Sequence, residues 1–398
     1  MEHFDIVLAL CRAAVQNPSP AVTNHMRRLA KALDADGNQE QALLLSGLQR
    51  KLSAASEIQP SRVVLSFAEN VGETLTPSVK PPVDRETGAS LAEIIHPKQI
   101  KTAMPLFGIE LSQGVESLLQ EWRSIDKLRA AKIRPVMSLM LFGDPGTGKT
   151  MLAHSIAHAL NLPLVVAKLD GLVSSFLGTT ARNIANLFAF ANRYNCILLL
   201  DEFDAIAKLR DDPNELGELK RVVNTLLQCL DARAGTGFSI AITNHQSLLD
   251  PAIWRRFDVR IVVPKPDYLN RLEIVRSHFL HPFELPEVQM QFLSWLLEGH
   301  SGADVERLAD FVKRHIAIHG SPEDGFIELV RSYLQLSAQS QQGPNRLIAL
   351  SGVEDIAIAL STFEESPMNQ DDLAALFGKT QSTISRWLSK ESKPRTKR

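Results

Sequence analysis

Gly143, Asp144, Pro145, Gly146, Thr147, Gly148, Lys149 and Thr150 match the pattern G-x-x-x-x-G-K-S/T at every fixed position. Glycines at those places let successive backbone N–H groups curl around an oxyanion with no Cβ in the way. A helix starting there adds about half a positive charge at its N-terminus. The ammonium of Lys149 suits β- and γ-phosphates, and the Thr150 hydroxyl suits a magnesium ion. Residues 143–151, ending at Met151, therefore read as a cradle for a nucleoside triphosphate.

Three further groups complete a possible reaction centre. Asp201 and Glu202 follow the apolar run 197–200, so a buried strand delivers an acidic pair at its C-terminal end. There Asp201 is expected to hold Mg²⁺ and Glu202 to polarise an attacking water. Asn244 ends a second apolar run and is placed to hydrogen-bond the γ-phosphate or that water. Arg255 and Arg256 are adjacent, and paired guanidinium groups suit a phosphoryl transition state. The predicted catalytic set is thus Glu202, Lys149, Asn244, Arg255 and Arg256, with Thr150 and Asp201 on the metal and ATP as substrate.

These groups meet only if the chain between them folds in one way. Apolar runs at 140–142, 164–167, 196–200, 238–242 and 259–263 alternate with amphipathic helical stretches. That alternation predicts an α/β class with a P-loop, doubly wound, parallel five-stranded sheet over residues 102–265. The fourth strand is expected between the first and third. Residues 266–340 lose strand character and read as a small helical lid domain. Helical spacing in 1–57 predicts an all-α N-terminal module. Pro60, Pro77, Pro81, Pro82 and Pro97 make 58–101 read as a linker. A second linker or helix fills 341–365, a helix-turn-helix-like module 366–390, and a basic tail 391–398.

Composition excludes other classes. Lys and Arg number 43 against 45 Asp and Glu, so the chain is no globally basic nucleic-acid coat. The three cysteines, Cys11, Cys196 and Cys229, are far apart and form no zinc or disulfide framework. Met1 to Asp5 lacks a basic signal-peptide start, and no apolar run approaches the ~20 residues of a membrane span. A cytoplasmic protein is expected. His154 and His158 stand at i, i+4, but Ser155 occupies the glutamate position of H-E-x-x-H, so no zinc protease is encoded there.

Taken in order, these motifs resemble the AAA ATPases over about residues 102–320. Arg221, Val222, Val223 and Asn224 with Leu226 and Leu227 add to the likeness, and Ser301, Gly302, Ala303 and Asp304 are similar to the family's lid sequence S-G-A-D. The resemblance implies Mg-dependent ATP hydrolysis by a ring, usually a hexamer, in which Arg255 and Arg256 complete the neighbouring subunit's site. It also implies a central pore loop, with Phe176 and Leu177 gripping a threaded protein substrate; an ordinary buried aromatic is the other reading of Phe176. Three features depart from the family: His245 where Arg is common after the asparagine, Ala303 where other groups place a lid arginine, and Thr179 with Thr180 in place of pore-loop acids. The pattern looks similar to bacterial AAA proteins that act beside a separate subtilisin-like protease.

The C-terminus leaves two readings open. Leu373 and Phe377 face inward from a first helix, Gly378 makes a turn, and Ile384 and Trp387 anchor a second helix. This resembles a helix-turn-helix, in which Gln381, Ser382, Ser385 and Arg386 would meet DNA. A three-helix adaptor that docks protein fits the same pattern. The function expected is therefore protein remodelling or threading, with an ATP-dependent DNA-associated switch or loader as the alternative.

Overall fold

A computed structural model describes residues 72–100, 104–172, 177–207, 216–234, 237–249, 251–320, 325–337 and 343–389, together with Asn38 and Gln41. Apart from those two residues the expected N-terminal module lies outside the described residues, as do Phe176 and the basic tail. The chain divides into two compact units, Met1–Ala68 and Glu69–Arg398. All elements named below belong to the second.

That unit begins with strand β1 (Ala92–Ile95) and helix α1 (Ile109–Arg123). Strands and helices then alternate: β2 (Ser138–Phe142), α2 (Lys149–Ala159), β3 (Leu164–Ala167), α3 (Leu177–Arg193), β4 (Ile197–Leu200), α4 (Leu216–Arg233), β5 (Ser239–Thr243), α5 (Pro251–Trp254) and β6 (Val259–Val262). The strands form one sheet in the order β1-β3-β4-β5-β2-β6, parallel except for antiparallel β1 against β3. β5 lies between β4 and β2, as the crossover pattern predicts.

The sheet has six strands, not five. The additional strand, β1, falls inside the stretch that prolines assign to a linker. Four residues carry too little periodicity to register as a strand, and its partner β3 lies some seventy positions away, with Ala92 opposite Ala167. Nor does the preceding segment float free, since Leu75 and Leu91 are buried and Glu73 bridges Tyr194.

Strict alternation along the strands builds two cores. Met140, Leu198, Leu200 and Ala241 face α3 and α4, meeting Ile184, Leu187, Phe188, Val222, Val223 and Leu226. Their neighbours Leu139, Leu141, Ile197, Leu199, Ile240 and Ile242 face α1 and α2, meeting Leu118, Trp122, Leu152 and Ile156. A sheet covered on both faces reads as continuous apolar runs, which is why β2, β4 and β5 were legible.

After β6 the chain is helical: α6 (Tyr268–His278), α7 (Glu287–Leu296), α8 (Gly302–His319), α9 (Phe326–Leu336), α10 (Arg346–Leu350), α11 (Val353–Ser361), α12 (Gln370–Phe377) and α13 (Gln381–Ser389). One hydrophobic cluster runs through them all, from Val275 and Phe292 through Leu308, Val330 and Ile356 to Leu373, Ile384 and Trp387. Between α12 and α13, Gly378 adopts φ +60° and ends α12; Phe377 meets Trp387 edge to face at 5.7 Å. No described helix is long and apolar enough to cross a membrane.

Because α12 and α13 share this core, removing residues 366–398 strips Met368, Leu373, Leu376, Ile384 and Trp387 from it. Losing one buried aromatic alone costs about 3–5 kcal/mol, so the truncated protein is expected to melt earlier, with faster hydrogen exchange in α7 and α8. Unchanged melting and exchange would show that the two C-terminal helices fold independently.

Candidate nucleotide site

β2 ends on a turn that only glycine fits. Gly143, Gly146 and Gly148 have φ of 143°, 77° and 93°. A Cβ on Gly143 would lie 2.4 Å from the Val263 carbonyl oxygen, because β6 runs alongside and the Val263 N–H bonds Phe142 O at 2.8 Å. Gly148 opens α2 in the left-handed conformation, and Pro105, from the segment leading into α1, stands against it.

Lys149 is buried, and its Nζ donates to the carbonyls of Gly143 at 2.9 Å and Asp144 at 2.6 Å. Burial lowers its pKa, against the opposing fields of Asp144, Asp201 and Asp204. Asp144 also pairs with Lys265 at 3.1 Å. Thr147 is buried; Asp144, Pro145, Gly146, Thr150 and Met151 are exposed along the same turn.

β4 brings the acidic pair to this turn. The Thr150 hydroxyl donates to Asp201 Oδ2 at 2.9 Å, joining the start of α2 to the end of β4. Glu202 is exposed and held at φ +49°, a region costing a non-glycine residue roughly 1–2 kcal/mol. Two neighbours hold it there. Its N–H donates to Asp201 Oδ1 at 2.8 Å, and the next N–H, of fully buried Phe203, bonds Ile242 O at 2.8 Å. β5 ends beside them, where Thr243 donates to Asp204 at 3.0 Å and half-buried Asn244 follows. Lys149, Thr150, Asp201, Glu202 and Asn244 thus converge where the parallel strands finish.

Arg255 and Arg256 lie elsewhere. The Ser138 hydroxyl donates to the Arg256 carbonyl at 3.2 Å, and the Asp258 carboxylate accepts from Met137 N–H at 3.0 Å and Ser138 N–H at 3.2 Å. Ser138 starts β2, so both arginines sit where strands begin. The five residues of β2 separate them from the glycine turn by about 16 Å at ~3.3 Å per residue. Both arginines are exposed. Arg256 pairs with Asp231, near the end of α4, at 2.7 Å.

Of the remaining predicted residues, Leu177 opens α3, and Gln381, Ser382, Ser385 and Arg386 are all exposed on α13 while Ile384 and Trp387 are buried. Sequence reasoning missed several contributors. Ser301 and Ala303 close on the turn: the Ala303 N–H bonds Gly146 O at 3.1 Å, and a Cβ on Gly146 would lie 2.7 Å from Ser301 Oγ and 2.8 Å from Ala303 Cβ. A capping box between Ser301 and Asp304 fixes that end of α8. Arg233 is fully buried, donating to Cys196 O at 2.9 Å, Phe238 O at 2.9 Å, Ser239 Oγ at 3.1 Å and Asn192 Oδ1 at 3.0 Å. Asp258 lies two residues past the arginine pair, but no local signal marks Arg233 or Asp231.

This glycine turn, acidic strand end and order of strands define a P-loop ATPase. Residues 139–265 match the model of the ATPase family associated with various cellular activities, AAA. An uncharacterized AAA family ATPase, y4kL of Sinorhizobium fredii, is 38% identical over 263 residues, 66% of this chain and 76% of that protein. The chain belongs to the AAA ATPase family. The ATP-dependent zinc metalloprotease FtsH of Aquifex aeolicus is 32% identical over 231 residues, and a proteasome-activating nucleotidase of Thermococcus kodakarensis 37% identical over 213. The chain spans 36% and 53% of those two relatives. A chain in the E. coli MS115-1 HORMA:CdnC:Trip13 complex shares the fold, with TM-score 0.54, 18% identity, 67% of this chain covered and 100% of that chain.

Gly146→Ala is expected to weaken binding of a fluorescent ATP analogue at least about tenfold, ~1.4 kcal/mol, since the added methyl meets both Ser301 and Ala303. Titration at wild-type affinity would show that α8 need not rest on the turn.

Proposed function

We propose that this AAA ATPase hydrolyses Mg-ATP as a closed ring, six subunits in the family's usual form, and uses the cycle to remodel or thread protein. The observation that carries the reading is the separation of the arginine pair from the glycine turn. Parallel strands put Lys149 and Glu202 at one end of the sheet and Arg255 and Arg256 at the other, beyond the reach of one side chain. Guanidinium groups so placed meet a triphosphate only on another copy. Such a head-to-tail contact closes into a ring or runs on as a helix.

The residues divide the work. Residues 143–151 hold the phosphates through backbone N–H groups, and Lys149 balances their charge. Thr150 and Asp201 form an oxygen-only pair that fits Mg²⁺ and would hold it. Held there, the ion would supply positive charge to offset that of the phosphates. Glu202 orients a water toward the γ-phosphorus and draws its proton; the new P–O bond forms as the bond to the β-phosphate oxygen breaks, giving ADP and phosphate. Asn244 steadies the water or the γ-phosphate. The neighbour's Arg255 and Arg256 stabilise the spreading negative charge, a contribution of roughly 10³–10⁵ in rate.

Action on protein is supported by relatives named as a protease, a nucleotidase that activates proteasomes and a homologue of a cell division cycle protein. In this reading Phe176 and Leu177 grip the substrate, and a separate subtilisin-like protease is a partner that would receive it. A second reading, an ATP-dependent DNA-associated switch or loader, is favoured by the exposed polar face of α13, where Gln381, Ser382, Ser385 and Arg386 stand clear of the core.

A mixing experiment tests the ring. Lys149→Ala and Arg255→Ala/Arg256→Ala proteins are each expected to be inactive alone, and to regain ATPase activity when combined, because each supplies what the other lacks. Activity that stays absent on mixing, or that persists in the arginine variant alone, refutes catalysis between subunits. The two readings of the output separate on Phe176→Ala. Lost processing of an unfolded protein with ATPase retained supports threading, and undiminished processing favours the DNA reading.

A further inference from the structure

The glycine turn is built to attract an anion, and one of its side chains does the opposite. Backbone N–H groups, the start of α2 and the Lys149 ammonium all offer positive charge there, yet the residue after Gly143 is Asp144. Its main chain belongs to the cradle. The Asp144 carbonyl accepts from Lys149 Nζ at 2.6 Å and from the Thr147 hydroxyl at 3.0 Å. The carboxylate is thus anchored at the turn, and its field reaches the Lys149 ammonium. Left alone, it would repel a triphosphate that settles on the same residues.

Among the described residues, Lys265 is the ion-pair partner of that carboxylate, with Nζ 3.1 Å from Asp144 Oδ2. The two side chains are 41% and 64% exposed, so the pair contributes little to folding. Its mounting is nevertheless firm. Lys265 stands between Pro264 and Pro266, whose rings fix φ on either side. Just before it, Val263 runs against the turn: its N–H bonds Phe142 O, and its carbonyl oxygen leaves no room for a Cβ on Gly143. Just after it, buried Arg271 donates to Pro266 O at 2.8 Å and to Ser294 O at 3.1 Å. A long ammonium arm is held where it covers Asp144.

We infer that Lys265 sets nucleotide affinity by neutralising the Asp144 carboxylate, so that a triphosphate enters the turn without meeting an unscreened negative charge. The inference rests on the reading of residues 143–151 as the phosphate cradle. In this role Lys265 acts through Asp144 and touches no phosphate. Its effect scales with the charge of the ligand, so ATP gains more from it than ADP, which carries one negative charge fewer. The effect also fades with salt, because mobile ions screen exposed charges.

The test is equilibrium titration of the full chain with fluorescent ATP and ADP analogues, at about 50 mM and about 500 mM salt. The proteins are wild type, Lys265→Ala, Lys265→Arg and the double variant Lys265→Ala/Asp144→Asn. At the lower salt Lys265→Ala is expected to weaken ATP about tenfold and ADP only about threefold, and both losses are expected to shrink at the higher salt. Lys265→Arg, which keeps the charge, is expected to bind ATP as wild type does. Adding Asp144→Asn to Lys265→Ala is expected to return ATP affinity to within about twofold of wild type. Wild-type ATP affinity in Lys265→Ala overturns the proposal. So does a loss that Asp144→Asn fails to restore, which makes Lys265 a direct phosphate ligand or a structural residue. Equal losses for ATP and ADP at both salts overturn it as well. Wild-type protein that binds neither nucleotide overturns the cradle reading first, and this proposal with it.

Discussion

Strand polarity is the constraint from which the rest of this molecule follows. β2, β4 and β5 run the same way, so every loop that leaves a strand gathers at one margin of the sheet and every loop that enters one gathers at the other. The glycine turn, the acidic pair and Asn244 all leave strands; the arginine pair enters one. No choice of rotamer brings these groups together within a single copy. Side chains at the entering margin are therefore remote from the phosphate turn of their own copy.

The entering margin is built with unusual care for a place remote from the phosphate turn. Arg233 is a fully buried cation, and burial depresses its pKa. Burying a guanidinium is tolerable when its donors are satisfied, and here carbonyl, hydroxyl and amide oxygens of three segments meet them. Ser138 and Asp258 repeat the device on a smaller scale, lacing the first residues of β2 to the last residues before β6. The leaving margin relies instead on glycine and on one strained residue, Glu202, whose conformation its neighbours dictate.

How much of this the sequence disclosed depends on the range of the interaction. β2, β4 and β5 were visible because strands buried on both faces are apolar throughout; β6, half exposed at the sheet edge, was visible from its short apolar run alone. The glycine turn and the Asp201–Glu202 pair were visible because phosphate chemistry demands fixed types at fixed spacing. β1 was hidden, since four residues among prolines gain their meaning only from β3. Arg233 was hidden because a basic residue in a last helical turn ordinarily faces water and complements the helix dipole. The approach of Ser301 and Ala303 to Gly146 was hidden too, although each partner had been noticed, because nothing local says that residues some 155 apart touch. The Arg256–Asp231 pair is invisible for the same reason.

The single hydrophobic cluster from α6 to α13 has a mechanical consequence. A close-packed interior transmits displacement and does not absorb it. At one end, α8 rests its first turn on Gly146; at the other, α13 presents Gln381, Ser385 and Arg386 to its surroundings. Any tilt imposed at the phosphate turn is therefore delivered to the far helix as motion of a stiff arm. Displacement of α8 at the turn is shared by the helices packed in the same cluster, out to Ile384 and Trp387 of α13.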